Sequence, residues 1–352
     1  MIKVNNLKKS YKDVQALNGV SFQVSAGELF AYLGSNGAAK TTTIRILTGL
    51  AKRSGGDAWI NGFHIEHEAL DAKRQCGVVP QTINLDNELT VFENLTIHGL
   101  LFGMPAAKRK QKMRELLDYV GLGDREKTPV ARLSGGMKRR LTIARALVHS
   151  PRVLFLDEPT VGLDAGIRRR IWALIKRVQK KGTTIFLTTH YIEEAEFLAQ
   201  RVAFLDEGGI IAVDSPRALM SRQGAWAIDR VVDDNVKTIY FKTKEAAREY
   251  TATQDESLSF RRVNLEDAFL ALTGKRSNNV RVLCSLLQGI PYPEKTVPED
   301  DSIHVCLPPS VPHCLWICHG KGGDDPRAYV HGVPGARPCG DEQYDPGVRY
   351  RQ

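Results

Sequence analysis

The amino-acid sequence predicts an α/β fold built on a parallel sheet, followed by a smaller α+β appendage. Two continuous apolar runs, VLFLD at 153–157 and TTIFLTT at 183–189, read as strands covered on both faces. A strand half-exposed to water would alternate apolar and polar residues instead. Helical segments lie between and after these runs. Over 167–181, Ile171, Leu174, Ile175 and Val178 share one side, and a further helix spans 191–200. Strands alternating with helices imply a parallel sheet. The third observation is a strand–loop–helix unit: LFAYL at 29–33 ends in a glycine-rich turn, and TTTIRILTGL follows with helical spacing.

The remaining elements follow in chain order. Residues 2–24 read as strands, because Ile2 and Val4, and later Val20, Phe22 and Val24, alternate with polar residues. Gly49 and Gly55-Gly56 are expected to close the strand–loop–helix unit. Residues 108–120 form an amphipathic helix, with Met113, Leu116, Leu117 and Val120 on its stripe and Gly121 as C-cap. The basic run Lys108, Arg109, Lys110, Lys112 and Arg114 lies mostly off that stripe and reads as a solvated face. A helix starts beside Ser134 and runs to Val148. RVAFLDEGGIIAVD, at 201–214, reads as two strands around a Gly-Gly turn, and 215–274 as a small α+β region ending in LEDAFLAL.

Composition narrows the class. The chain has 352 residues, 42% apolar and 25% charged, as in an ordinary soluble protein. No run approaches the length of a transmembrane helix, and the start, MIKVNNLKKSYK, lacks the apolar segment of a secretory signal. A cytosolic protein is expected, with another chain crossing the bilayer if it works at a membrane. The net charge of +9 is uneven: residues 1–275 hold 41 Lys+Arg and 31 Asp+Glu, and residues 276–352 hold 8 and 9. A basic body suits anionic partners such as nucleotide, acidic lipid or nucleic acid, or is simply a soluble surface.

The last 77 residues change character. They hold 10 of 16 prolines, 4 of 9 histidines and five of six cysteines (Cys284, Cys306, Cys314, Cys318 and Cys339), leaving only Cys76 in the body. Nothing in the body resembles a disulfide framework. His304, Cys306, His313, Cys314, Cys318 and His319 could offer zinc ligands, but Cys314-x₃-Cys318 lacks a second clean pair. The tail reads as a weakly structured region or an extension foreign to the fold.

Three segments carry chemistry. Gly34-Ser35-Asn36-Gly37-Ala38-Ala39-Lys40-Thr41 follows a strand and opens a helix, as a phosphate-binding loop requires. Its backbone N–H groups would cradle phosphate at a helix N-terminus, Lys40 would neutralise charge and the Thr41 hydroxyl would ligate Mg²⁺. The pattern GxxxxGK[ST] is missed once, at Ala39, which leaves an ordinary glycine-rich turn as the other reading. LFLDE ends the buried strand; Asp157 there can hold Mg²⁺ and Glu158 can polarise an attacking water, against the plainer reading of an acidic turn. Ser134-Gly135-Gly136 offers an N-cap followed by open amides, a second anion site on the same chain. One phosphate loop and a second phosphate reader imply a two-fold sandwich.

With these residues in place, the chain resembles the ATP-binding cassette (ABC) family over residues 1–275. Asn36 to Thr43 is similar to the Walker A motif except at Ala39; Gln81 in GVVPQ to the Q-loop; LSGGMKRR to the signature; VLFLDEPT to Walker B. Leu163-Asp164 is similar to the D-loop and His190 in TTHYIEEAE to the switch histidine, and Tyr11 stands where the family has an adenine-stacking aromatic. GMKRRLTIARAL, TTHYIEEAE and LEDAFLALTG look most like ATPases of ABC-2 exporters. The resemblance implies a P-loop NTPase core over 1–214 with an antiparallel β subdomain and an α-helical signature subdomain at about 82–150. A small accessory region over 215–275 and the atypical tail over 276–352 complete the expected organisation.

The resemblance also implies the site. Gly34, Asn36, Gly37, Ala38, Ala39, Lys40, Thr41 and Thr42 would surround the phosphates of ATP, with Tyr11 at the adenine. Ser134, Gly135 and Gly136 of the signature would come from the other subunit, and Asp164 of the D-loop would also bind the nucleotide. Thr41, Gln81 and Asp157 would meet Mg²⁺, and Glu158, His190 and Gln81 would serve hydrolysis. His64, His67, His98 and His149 match no motif. The function implied is an ATP-hydrolysing subunit on the inner face of the membrane, powering export through a separate ABC-2 type permease. It would work as a homo- or heterodimer, with no nucleic acid expected. The alternatives are a subunit whose hydrolysis Ala39 impairs and a soluble ABC ATPase. Ribosome-type members of that soluble class usually carry two cassettes, and DNA-repair members carry long insertions that residues 41–157 lack.

Overall fold

The computed structural model describes residues 1–12, 14–35, 37–232, 235–252, 258–273, 303–305 and 315–317. The chain divides into two compact units, Met1–Val282 and Leu283–Gln352. In the first, β1 (Ile2–Tyr11), β2 (Val14–Val24) and β3 (Leu29–Gly34) lead into α1 (Lys40–Leu47). Then come β4 (Gly55–Ile60), β5 (Phe63–His64), α2 (Ala69–Arg74), β6 (Cys76–Val79), α3 (Val91–Leu101), α4 (Ala106–Val120) and α5 (Gly135–Ala146). The chain returns through β7 (Val153–Asp157), α6 (Ala165–Lys180), β8 (Thr184–Thr189), α7 (Ile192–Leu198), β9 (Arg201–Asp206) and β10 (Gly209–Asp214).

Two sheets result. One is antiparallel, in the order β2-β1-β4-β5; the other runs β10-β9-β3-β8-β7-β6, parallel from β9 to β6, with β10 antiparallel at its edge. The continuous apolar runs are the central strands, and every residue of β3, β7 and β8 is buried. Alternate residues serve two cores. Val153 and Phe155 join Phe22, Phe30 and Phe186 between the sheets, where Phe22 stacks on Phe30 at 5.6 Å. Leu154 and Leu156 pack beneath α4, α5 and α6, with Leu117, Leu141, Ile171 and Ile175.

Gly55 and Gly56 open β4, where the sequence pattern had them closing a unit. β1 shifts register after Val4, and a Cβ on Gly56 (φ 75°) would strike the Asn6 carbonyl. The glycine is required by a close strand crossing, not by a turn. α3 starts with a capping box: Glu93 N–H donates to Thr90 Oγ1 at 3.2 Å and Thr90 N–H to Glu93 Oε2 at 2.8 Å. α4 starts two residues earlier than its apolar stripe suggests, and Gly121 (φ 67°) is its C-cap as expected.

The appendage begins at α8 (Pro216–Ser221), capped by Ser215, and continues through β11 (Trp226–Val232), β12 (Asn235–Phe241), α9 (Lys244–Ala252), β13 (Ser259–Arg262) and α10 (Leu265–Thr273). Its strands form the sheet β12-β11-β13, and Leu219, Leu265 and Ala268 pack on Leu33, Val202 and Phe204. Arg261 bridges Asp229 at 2.6 Å and Asp267 at 2.7 Å, tying α10 to the sheet. In the second unit, Ile303–Val305 and Leu315–Ile317 pair antiparallel. His304 lies on the first of these strands; the other zinc-ligand candidates fall outside the described residues. Among the described residues no helix is long and apolar enough to cross a membrane.

Candidate active site

The strand order β3-β8-β7-β6 sets four carboxyl ends side by side. Open parallel sheets place their ligands along such an edge. Here it brings together the loop after Gly34, His190 after β8, Asp157-Glu158 at β7 and Pro80-Gln81 after β6.

Glu158 is the hub. Its carboxylate is 6% exposed and its backbone holds a left-handed φ of 45°. The Lys40 ammonium lies 3.2 Å from Oε1; Gln81 Nε2 donates to Oε2 at 3.1 Å, and His190 Nδ1 lies 3.0 Å from the same oxygen. Lys40 also donates to the Gly34 and Ser35 carbonyls at 2.9 and 3.1 Å. One carboxylate thus collects a cation, an amide and an imidazole from three loops. Asp157, also buried, accepts from Thr41 Oγ1 at 3.1 Å and Thr188 Oγ1 at 2.5 Å. β8 fixes the turn as well, because the Glu158 N–H donates to the Thr188 carbonyl at 3.0 Å.

The loop before α1 has specific backbone demands. A Cβ at Gly34 would sit 2.5 Å from the Leu205 carbonyl of β9, so sheet packing requires this glycine. Gly37 has φ 86°, and Ala39, the N-cap of α1, has φ 64° and ψ 24° with no capping side chain. Ala38 is buried and Thr42 half-buried. Asn36 lies outside the described residues.

The second helix start is built otherwise. Ser134 is extended, and its hydroxyl accepts the Met137 N–H at 3.3 Å. A Cβ on Gly135 would meet nothing within 4 Å, whereas one on Gly136 would lie 2.6 Å from Ile167 Cγ2. Asp164 caps α6 by accepting the Ile167 N–H at 2.9 Å, so Asp164 and Gly136 adjoin the same residue. Tyr11 is exposed at the end of β1, with the Lys9 ammonium 4.5 Å over its ring.

Two of the buried charges that were not foreseen from the sequence, Arg139 and Glu194, lie close to this edge. Arg139 of α5 is 3% exposed and donates to four backbone carbonyls: Pro80 and Pro159 at 2.6 Å, Glu158 at 2.9 Å and Gln81 at 3.2 Å. Burial pulls its guanidinium below the usual range, while the Glu194 and Asp157 charges act in the other direction. Glu194 of α7 accepts from Thr160 Oγ1 at 2.8 Å and Trp172 Nε1 at 2.9 Å, and burial raises its carboxyl. The signal for Arg139 is helical phase: it shares the buried stripe of α5 with Gly136, Ile143 and Ala146.

Comparison with known proteins gives the family. The ABC transporter family profile matches residues 17–161. The linearmycin resistance ATP-binding protein LnrL of Bacillus subtilis is 41% identical over 64% of this chain and 72% of its own length. The Nod factor export ATP-binding protein I of Paraburkholderia xenovorans is 40% identical over 78% of this chain and 97% of its own. An ATP-binding subunit of an ABC transporter superposes with a TM-score of 0.58 at 29% identity, covering 63% of this chain and 92% of that one. A dimeric ATP-binding cassette in a post-hydrolysis state, bound to ADP and phosphate, gives 0.56 at 29% identity over 61% and 98%. Likeness over nearly the whole of a relative is likeness of whole proteins: this chain belongs to the ATP-binding subunits of ABC transporters, and its chemistry is ATP hydrolysis.

Proposed function

We propose that Glu158 is the base that activates water in a composite ATP site, and that the chain powers export through a separate ABC-2 type permease on the inner face of the membrane. The convergence of Lys40, Gln81 and His190 on the Glu158 carboxylate carries this reading. A γ-phosphate competes with that carboxylate for the Lys40 ammonium. Once Lys40 turns to phosphate, Glu158 is free to take a proton from water, while His190 and Gln81 orient the water and the phosphate. The loop from Gly34 to Thr42 holds the phosphates, and Tyr11 meets the adenine. Ser134, Gly135, Gly136 and Asp164 act on the ATP of the other subunit.

Thr41 and Asp157 supply hard oxygen donors and, with Gln81, fit Mg²⁺, which usually takes its remaining ligands from phosphate and water. Bound there, it would neutralise phosphate charge.

An apolar surface supports a protein partner: Ile97, Leu100, Leu101 and Phe102 are exposed at the end of α3. Beside it, a cavity of about 190 Å³ is bordered by Asn84, three residues past Gln81. The names of the relatives, Nod factor export and linearmycin resistance, support an exporter. In this reading the ATPase domain is 1–214, its helical part about 82–150, and 215–275 is an accessory region.

The test is Glu158→Gln. Turnover is expected to fall by roughly 10²- to 10⁴-fold, the usual worth of a general base, with ATP affinity retained. Hydrolysis at the parent rate sinks the assignment.

A further inference from the structure

We propose that Arg139 is a positioning residue that transmits the state of the Ser134 helix start to Gln81 and Glu158, coupling one ATP site to the other. The inference rests on the reading above, in which Ser134 faces the partner's ATP and Glu158 serves the chain's own.

The geometry is that of a lever. α5 is a single helix from Gly135 to Ala146, and Ser134 caps its first turn. Arg139 lies five residues beyond that cap, about 7.5 Å along the axis at 1.5 Å per residue. Its guanidinium reaches two separate loops: Pro80 and Gln81 carbonyls on one, Glu158 and Pro159 carbonyls on the other. Neighbouring side chains of α5 hold the rest of the first loop. Lys138 donates to Asn87 Oδ1 at 3.1 Å and Arg145 to the Asn84 carbonyl at 2.8 Å. Segment 80–87 therefore rides on α5, and the turn carrying Glu158 is fastened to the same helix by Arg139.

The residue type matters. A planar guanidinium directs five donors at fixed angles, so one side chain can satisfy carbonyls on two loops at once; an ammonium acts as a point charge. At 3% exposure Arg139 is largely cut off from water, which could otherwise replace a carbonyl that moves away. A displacement of the α5 start must then appear at Gln81 and Glu158. Packing at the start reinforces this, because Gly136 leaves room only for Ile167 of α6.

The test is Arg139→Lys in the full chain, measured as steady-state hydrolysis against ATP concentration. The expected result is a kcat lowered roughly 10- to 100-fold, the worth of lost charge-assisted bonds, with nucleotide affinity within about twofold. The Hill coefficient is expected to fall toward 1 from the parent's value, whose ceiling for two sites is about 2. A merely structural role would lower affinity and melting temperature together and leave the Hill coefficient at the parent value, and that pattern overturns the proposal. So does a parent-like kcat and Hill coefficient. If Arg139→Lys does not fold, Arg139→Gln carries the same measurement; collapse of both makes Arg139 a structural residue and also overturns it. Ser134→Arg, run alongside, separates the two readings. Full turnover there removes the composite site itself, whereas a dead Ser134→Arg beside a parent-like Arg139→Lys removes only the coupling.

Discussion

Helices α1 and α5 begin in opposite ways. Before α1, Ala39 is left-handed at φ 64° and its side chain caps nothing. Before α5, Ser134 is extended at φ −66° and ψ 160°, and its hydroxyl caps the Met137 N–H. An L-residue in the left-handed region costs roughly 1–2 kcal/mol, whereas a serine N-cap contributes about 1 kcal/mol. One helix start stores strain and the other is locally relaxed. The difference follows from what each start must do. In the proposed site the loop before α1 bends its backbone around phosphate, with Lys40 buried behind it. The start of α5 in that site has only to present an open end, and a Cβ on Gly135 would meet nothing within 4 Å.

Substitutions at the two caps should therefore move stability in opposite directions. Ser134→Ala removes a cap and is expected to destabilise by about 1 kcal/mol in urea or thermal unfolding. No change would mean that tertiary packing, through Gly136 on Ile167, already holds the helix start. Ala39→Gly relieves the strain but adds the backbone entropy of glycine, about 0.5–1 kcal/mol, so the net expectation is a gain of about 0.5–1 kcal/mol. Mg-ATP affinity should not weaken. A loss of stability on Ala39→Gly would show that position 39 is not left-handed in solution and would erase the contrast.

Much of this was legible in the sequence, for reasons that differ by element. VLFLD and TTIFLTT could be read because strands buried on both faces are apolar throughout. The four-residue strand CGVV at β6 and the glycine-led GGDAWI at β4 were not legible, since neither is long or regular enough to show a period. α3 went unread although TVFE carries the capping-box pattern. In the site, Lys40, Asp157 and Glu158 were readable from their motifs, and Gln81 and His190 only through the family resemblance; the structure joins Lys40, Gln81 and His190 on Glu158, with Asp157 beside it bonded to Thr41. Arg139 was missed, because GMKRR presents three basic residues in a row and only their phase against Gly136, Ile143 and Ala146 picks out the buried one. Thr188, Thr160 and Glu194 were equally hidden: their roles depend on contacts between segments about 30 residues apart. Motifs announce the groups that meet a ligand, while the groups that hold those in place depend on tertiary proximity.

The contrast between the two helix starts acquires its meaning if they belong to one site, α1 from one subunit and α5 from its partner. The most direct measurement mixes Ser134→Arg subunits with Lys40→Ala subunits and follows ATP hydrolysis by dimers of verified composition. Each variant alone should be inactive. The mixed dimer keeps one site with Lys40 and Ser134 both intact, and activity well above either variant is expected. A mixed dimer as inactive as its parents would contradict the composite site and with it the proposed function of the Ser134 helix start.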